Sequence, residues 1–143
     1  MSVWVGIDVA ARTVEMVWRK EEKNSKPRSF EQTPSGHQQL IEHLRRLQPS
    51  CVVLEATGIY HFDLAVALEE ADLPVSVINP KSARRFAELR LKYTKTDGVD
   101  SALLAEYAQR MTPARWLRSG RHATWPARLR PADQSPQRRP HAG

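Results

Sequence analysis

The stretch VWVGIDVA, residues 3–10, decides the reading of the fold. Val3, Val5, Ile7 and Val9 alternate with Trp4, Gly6 and Asp8, a period of two that predicts a strand with one apolar face. An aspartate inside such a strand is costly unless it is paired or bound to a cation. The following segments extend the pattern. Val14, Met16 and Trp18 alternate again, predicting a second strand over residues 13–20. The polar EEKNSKP turns the chain, and residues 28–32 read as a third strand. Three short strands in succession predict an antiparallel meander.

Helical spacing begins after residue 32. Thr33 followed by Pro34 has the form of an N-cap and a first helical residue. Leu40, Ile41, Leu44 and Leu47 then recur at helical intervals until Pro49 and Ser50 interrupt them. CVVLE, residues 51–55, is continuously apolar up to Glu55, as expected of a strand covered on both faces. Beyond the Thr57–Gly58 turn, residues 59–71 predict a helix with Ile59, Phe62, Val66 and Leu68 inward. VSVI predicts a strand over 75–78, ended by Asn79 and Pro80. Residues 81–91 predict a helix carrying Lys81, Arg84, Arg85 and Arg90, and TKT reads as a loop. A last helix runs from about Asp97 to about Arg110, with Val99, Leu103 and Tyr107 as its apolar line. The order β-β-β-α-β-α-β-α-α predicts an α/β fold in which helices flank a mixed sheet. It is the element order of the ribonuclease H-like, or RuvC-like, fold.

At 143 residues the chain fits one domain with a sizeable core. Its single cysteine, Cys51, excludes an internal disulfide and reads as a small buried hydrophobe. The N-terminus has no signal-peptide pattern and no apolar run approaches a membrane span, so the expectation is a soluble cytoplasmic protein. The net charge of +6 is unevenly spread. Residues 1–111 carry equal numbers of basic and acidic side chains. Residues 112–143 carry seven arginines against one acid, Asp133, and hold half of the ten prolines. That composition buries too little apolar surface to offset ordering entropy. The expected organisation is therefore a folded domain over 1–111 and an Arg/Pro-rich tail over 112–143. The tail reads either as a disordered arm that binds nucleic acid or as the out-of-frame translation of GC-rich coding DNA.

Four acids carry the chemistry. Asp8 sits on the first strand, Glu55 ends the fourth, and Asp97 and Asp100 share KTDGVD at residues 95–100. In a ribonuclease H-like sheet the first and fourth strands are neighbours, which sets Asp8 beside Glu55. Asp97 and Asp100 are three apart, so on one helix they share a face. Carboxylate oxygens select hard cations, Mg²⁺ or Mn²⁺. Two such ions about 4 Å apart activate a nucleophile and stabilise the leaving oxygen of an in-line phosphodiester displacement. Without metal the clustered acids repel, which raises some of their pKa values. Each acid also has an ordinary alternative: Asp8 as an acceptor for the turn after it, Glu55 as the partner of an arginine, Asp97 as an N-cap, Asp100 as a first-turn acid.

Lys81, Arg84, Arg85, Arg90, Lys92 and Lys95 form a basic stretch leading into the acidic pair, suited to a nucleic-acid backbone or simply a charged helix face. Tyr60 lines the site or packs at the sheet edge. The histidines, His37, His43 and His61 among them, show no metal-ligand spacing and there is no P-loop.

GIDVA at 6–10, EATGIY at 55–60, VINP at 77–80, RRFAE at 84–88 and KTDGVDSALLAEYA at 95–108 together resemble the N-terminal domain of DEDD (RuvC-like) insertion-sequence transposases, also called bridge-RNA-guided recombinases. The order and spacing agree over residues 3–111. The resemblance implies that Asp8, Glu55, Asp97 and Asp100 are the metal-binding catalytic acids of a DNA transposase. It implies Mg²⁺ or Mn²⁺ as cofactor, DNA and a structured guide RNA as partners, and a homo-oligomer. Lys81, Arg84, Arg85, Lys95 and Tyr60 become candidate nucleic-acid contacts. Two residues depart from the family: Gly98 and Ser101 replace a basic or large residue and an alanine. Family members continue into a coiled-coil insertion and a domain with a nucleophilic serine, a role that neither Ser119 nor Ser135 matches. The expectation is a truncated transposase that does not complete strand exchange alone. Two other classes compete. One is a non-catalytic RNA- or DNA-binding module. The other is an actin-like sugar kinase, whose first phosphate motif is similar to GIDVA but which needs a second lobe.

Overall fold

The computed structural model describes residues 2–56, 58–90 and 100–117. Strands β1 (Trp4–Val9) and β2 (Thr13–Lys20) form an antiparallel hairpin. The far edge of β2 is shared end to end by the two-residue β3 (Lys23–Asn24) and by β4 (Arg28–Glu31). Helix α1 (Pro34–Leu47) leads to β5 (Cys51–Glu55), α2 (Tyr60–Glu70) to β6 (Val75–Ile78), and α3 (Pro80–Leu89) precedes α4 (Ser101–Met111). The sheet order is β3-β2-β1-β5-β6, with β5 parallel to both β1 and β6. The mixed sheet flanked by helices is as read from the sequence, except that β3 adds a short strand inside EEKNSKP, which the sequence presents as a polar turn.

Alternation along the strands sorts the core into two layers. Val5, Ile7, Val9, Val14, Met16, Val52 and Leu54 face Leu40, Leu44, Leu64 and Leu68 of α1 and α2. Cys51 and Val53 face Phe86 of α3 and Leu103, Leu104 and Tyr107 of α4. Phe86 and Tyr107 meet edge to face, their ring centroids 5.2 Å apart, a favoured aromatic geometry. Thr33 caps α1 as expected, accepting from the Gly36 amide at 3.0 Å. Cys51 is buried beside Ser76, and burial pushes its thiol pKa up, which suits a packing role.

Helix α2 is phased differently from the sequence expectation. Leu68 points inward as expected and is joined by Leu64 and Ala65, whereas Ile59 is 82% exposed, Phe62 is 47% exposed, and Val66 is only half-buried. Past Met111 the chain continues along the outer edge of β6. The Trp116 amide donates to the Val75 carbonyl at 2.8 Å, Ser76 donates to the Pro113 carbonyl at 3.2 Å, and Trp116 packs edge to face on Phe62. An otherwise open strand edge is thereby covered. Residues 118–143 lie outside the described residues. Among those described, no helix is long and apolar enough to cross a membrane.

Candidate active site

The site is built by the strand alternation that builds the core. Trp4, Gly6 and Asp8 occupy the face of β1 opposite to Val5 and Ile7. On β5, Cys51, Val53 and Glu55 occupy the same side. The parallel register ends with Ile7 opposite Leu54, so Asp8 and Glu55 each follow the last paired rung, near enough for Glu55 to feel the charge of Asp8. Both carboxylates emerge at the C-terminal ends of parallel strands, the usual location of ligand sites in such sheets.

Helix α4 crosses this face over β1, β2 and β5, and Gly6 is what allows it to lie so close. A Cβ on Gly6 would stand 2.2 Å from the Ser101 carbonyl oxygen and 2.3 Å from the Ala105 nitrogen. The start of α4 is therefore held directly over β1. Asp100 is the N-cap, in extended conformation, and its Oδ1 accepts from the Leu103 amide at 2.9 Å. The described helix thus starts at Ser101 rather than at about Asp97. Aspartate competes for backbone amides and so starts helices better than it continues them. Asp97 and Lys95 lie outside the described residues.

The electrostatics show that the acids sense one another. Asp8 keeps contact with solvent, yet its pKa is raised, first by burial and then by the charges of Glu15 and Asp100. The pKa of Glu55 is raised by burial and by Asp8, against an opposing pull from Arg84. Glu15 is an acid that the sequence does not single out. It stands directly across the hairpin from Asp8 and accepts from the Ser101 hydroxyl at 3.0 Å. The hairpin register about residues 10–12 is the signal that reveals it, because that register pairs residue 8 with residue 15. Glu106 is a second unforeseen acid. It lies buried on α4, paired with Arg90 and Arg110, each at 2.8 Å.

The remaining described candidates lie on α2 and α3. Lys81, Arg84 and Arg85 are carried on α3, whose start is capped by Asn79 through the Ser82 amide; all three are exposed. Tyr60, 48% exposed, begins α2. Gln32 ties that start to the end of β1 by donating to the Ala10 and Tyr60 carbonyls at 3.1 and 3.0 Å. His37 and His43 have lowered pKa values, chiefly through burial.

The donor set fits a hard divalent cation in kind: it is all carboxylate oxygen, and burial and mutual repulsion disfavour its charged state, an opposition that a cation relieves. Among the described residues, no three His, Cys, Asp or Glu side chains stand close enough together to enclose an ion.

Comparison with known proteins bears on the fold and the family. Two structures of RuvC from Thermus thermophilus are similar to this chain. One is in complex with a Holliday junction substrate, with TM-score 0.55, 15% identity, and coverage of 80% of this chain and 99% of that one. The other has TM-score 0.57, 17% identity, and coverage of 79% and 98%. At these identities the likeness establishes the ribonuclease H-like, RuvC-like fold. No curated protein matches the chain. The family model DEDD_Tnp_IS110, described as Transposase, matches residues 5–124, which include Asp8, Glu55, Asp100 and the segment covering β6. The chain belongs to the DEDD transposase family.

Proposed function

We propose that this chain carries out divalent-metal-dependent phosphodiester chemistry on DNA in transposition, with Asp8, Glu55, Asp97 and Asp100 as its acids and Mg²⁺ or Mn²⁺ as its cation. The observation that carries this reading is that Asp8 and Glu55 each follow the last paired rung of β1 and β5, with Asp8 near enough to feel the charge of the N-cap Asp100. When bound, the cation supplies Lewis-acid stabilisation of the charge that develops on a phosphodiester. Asp8 and Glu55 hold it from two adjacent strands, and Asp100 approaches from the capped start of α4. Lys81, Arg84 and Arg85 on α3 offer phosphate contacts, and Tyr60 offers a ring to an exposed base. The same reading takes in a structured RNA partner, a homo-oligomer and a cytoplasmic site of action, which rest on the resemblance of GIDVA, EATGIY and KTDGVD to the family.

The test is DNA binding followed by fluorescence anisotropy with and without Mn²⁺, for the parent chain, Asp8→Asn and Glu55→Gln. Affinity rises with Mn²⁺ in the parent and not in either variant. Equal binding in all three, indifferent to Mn²⁺, overturns the reading. That result would favour a non-catalytic nucleic-acid-binding module, for which the exposed cations of α3 are the supporting observation. In either case, replacing Lys81, Arg84 and Arg85 with alanine lowers DNA affinity. It also reduces the salt slope by about one for each phosphate no longer neutralised.

A further inference from the structure

Ser101, the first residue of α4, is 1% exposed. A hydroxyl so buried needs a partner, and Ser101 donates to Glu15 Oε1 at 3.0 Å. Glu15 lies on β2 opposite Asp8, on the side of the sheet that α4 covers. Asp100 immediately precedes Ser101 and caps the helix through the Leu103 amide. One hydrogen bond therefore joins the strand position beside Asp8 to the backbone position beside Asp100. The packing around it is tight, because Gly6 leaves no room between β1 and the Ser101 carbonyl. Asp8, Glu15 and Asp100 carry like charges, so the helix start that bears Asp100 is held against electrostatic repulsion.

We infer that Glu15 and Ser101 form a positioning pair that fixes Asp100 over Asp8 and so sets the spacing of the cation site. Glu15 acts on Asp100 through Ser101, as a positioning residue rather than a ligand. The inference rests on the proposed cation site.

The experiment uses the full 143-residue chain and three variants, Ser101→Ala, Glu15→Ala and Glu15→Gln. Two readouts are taken: amide hydrogen exchange of Leu103 without metal, and Mn²⁺ affinity from the free-ion electron paramagnetic resonance signal. Ser101→Ala and Glu15→Ala speed Leu103 exchange about tenfold and weaken Mn²⁺ affinity about tenfold, the effect of one charge-assisted hydrogen bond. Exchange at Val5 and Leu54 in the core stays unchanged. Glu15→Gln keeps an oxygen that accepts from Ser101, so it restores slow Leu103 exchange and brings Mn²⁺ affinity to within about threefold of the parent. Unchanged Leu103 exchange in Ser101→Ala would overturn the inference. So would a Glu15→Gln protein with slow Leu103 exchange but Mn²⁺ affinity as poor as Glu15→Ala, because Glu15 would then serve the cation by its charge. If the parent chain binds no Mn²⁺, the proposed function fails. Leu103 exchange then still decides whether the pair holds the start of α4.

Discussion

Two sides of the same six-residue strand are built to different ends. On one, Val5, Ile7 and Val9 of β1 meet the leucines of α1 and α2 in an unbroken apolar layer. On the other, Gly6 admits the backbone of α4 and Asp8 stands among Glu15, Glu55 and Asp100. The first side gains stability from burial. The second side gives some of it up by gathering like charges at the strand ends. Because adjacent residues alternate in side, a carboxylate at residue 8 leaves the α1/α2 layer intact. The molecule therefore separates the residues that hold the fold from those that prepare a charged site, within a single strand.

Substitutions that mix the two sides test that separation. The largest effect is expected at Leu54, fully buried in the α1/α2 layer beside Glu55. Leu54→Ala costs about 2–5 kcal/mol of unfolding free energy in a urea titration. After correction for the unfolded fraction, its Mn²⁺ affinity stays near that of the parent. Gly6→Ala inverts the pattern. The added methyl forces α4 outward at a cost of about 1–3 kcal/mol, and Mn²⁺ affinity falls more than the stability loss explains, because Asp100 moves with the helix. Glu106→Gln, which removes the buried charge between Arg90 and Arg110, costs about 1–2 kcal/mol. It leaves Asp8 and Glu55 in place, so it weakens folding without a specific metal defect.

The smallest effect is in the pH dependence of the metal-free chain. The folded-state pKa values of Asp8 and Glu55 lie above the ordinary 3.8 and 4.5. The folded chain thus binds these protons more tightly than the unfolded chain does. Their contribution to stability is fully present below the ordinary values and is lost as pH rises through the raised ones. Asp8→Asn removes the Asp8 share, so its metal-free form loses less stability than the parent as pH rises from the ordinary 3.8 through the raised pKa of Asp8. Urea titrations at successive pH values measure the difference.

How much of this is legible in the sequence follows from the periodicities. The strands at 13–20, 51–55 and 75–78 are readable because β-branched residues and clear turn signals bound them. The phase of α2 is not, because Ile59 and Phe62 are apolar yet lie at the helix start, away from the layer that Leu64, Ala65 and Leu68 fill. Asp8, Glu55 and Asp100 are visible as acids in apolar or capping contexts. Glu15 is hidden, since a glutamate alternating with Val14 and Met16 looks like an ordinary solvent-facing position. Only the hairpin register and the approach of α4 give it a partner. The composition of residues 112–143 likewise conceals Trp116, one large ring that docks the chain beside β6.

The most direct measurement is a Mn²⁺ titration of the parent chain and Asp8→Asn, with the thermal midpoint of each recorded with and without the ion. The parent binds Mn²⁺ and gains stability from it. Asp8→Asn binds at least about tenfold more weakly, while its metal-free midpoint at neutral pH equals or exceeds that of the parent. Equal Mn²⁺ affinity in the two proteins, or no stabilisation of the parent by the ion, would contradict a cation site at the shared end of β1 and β5.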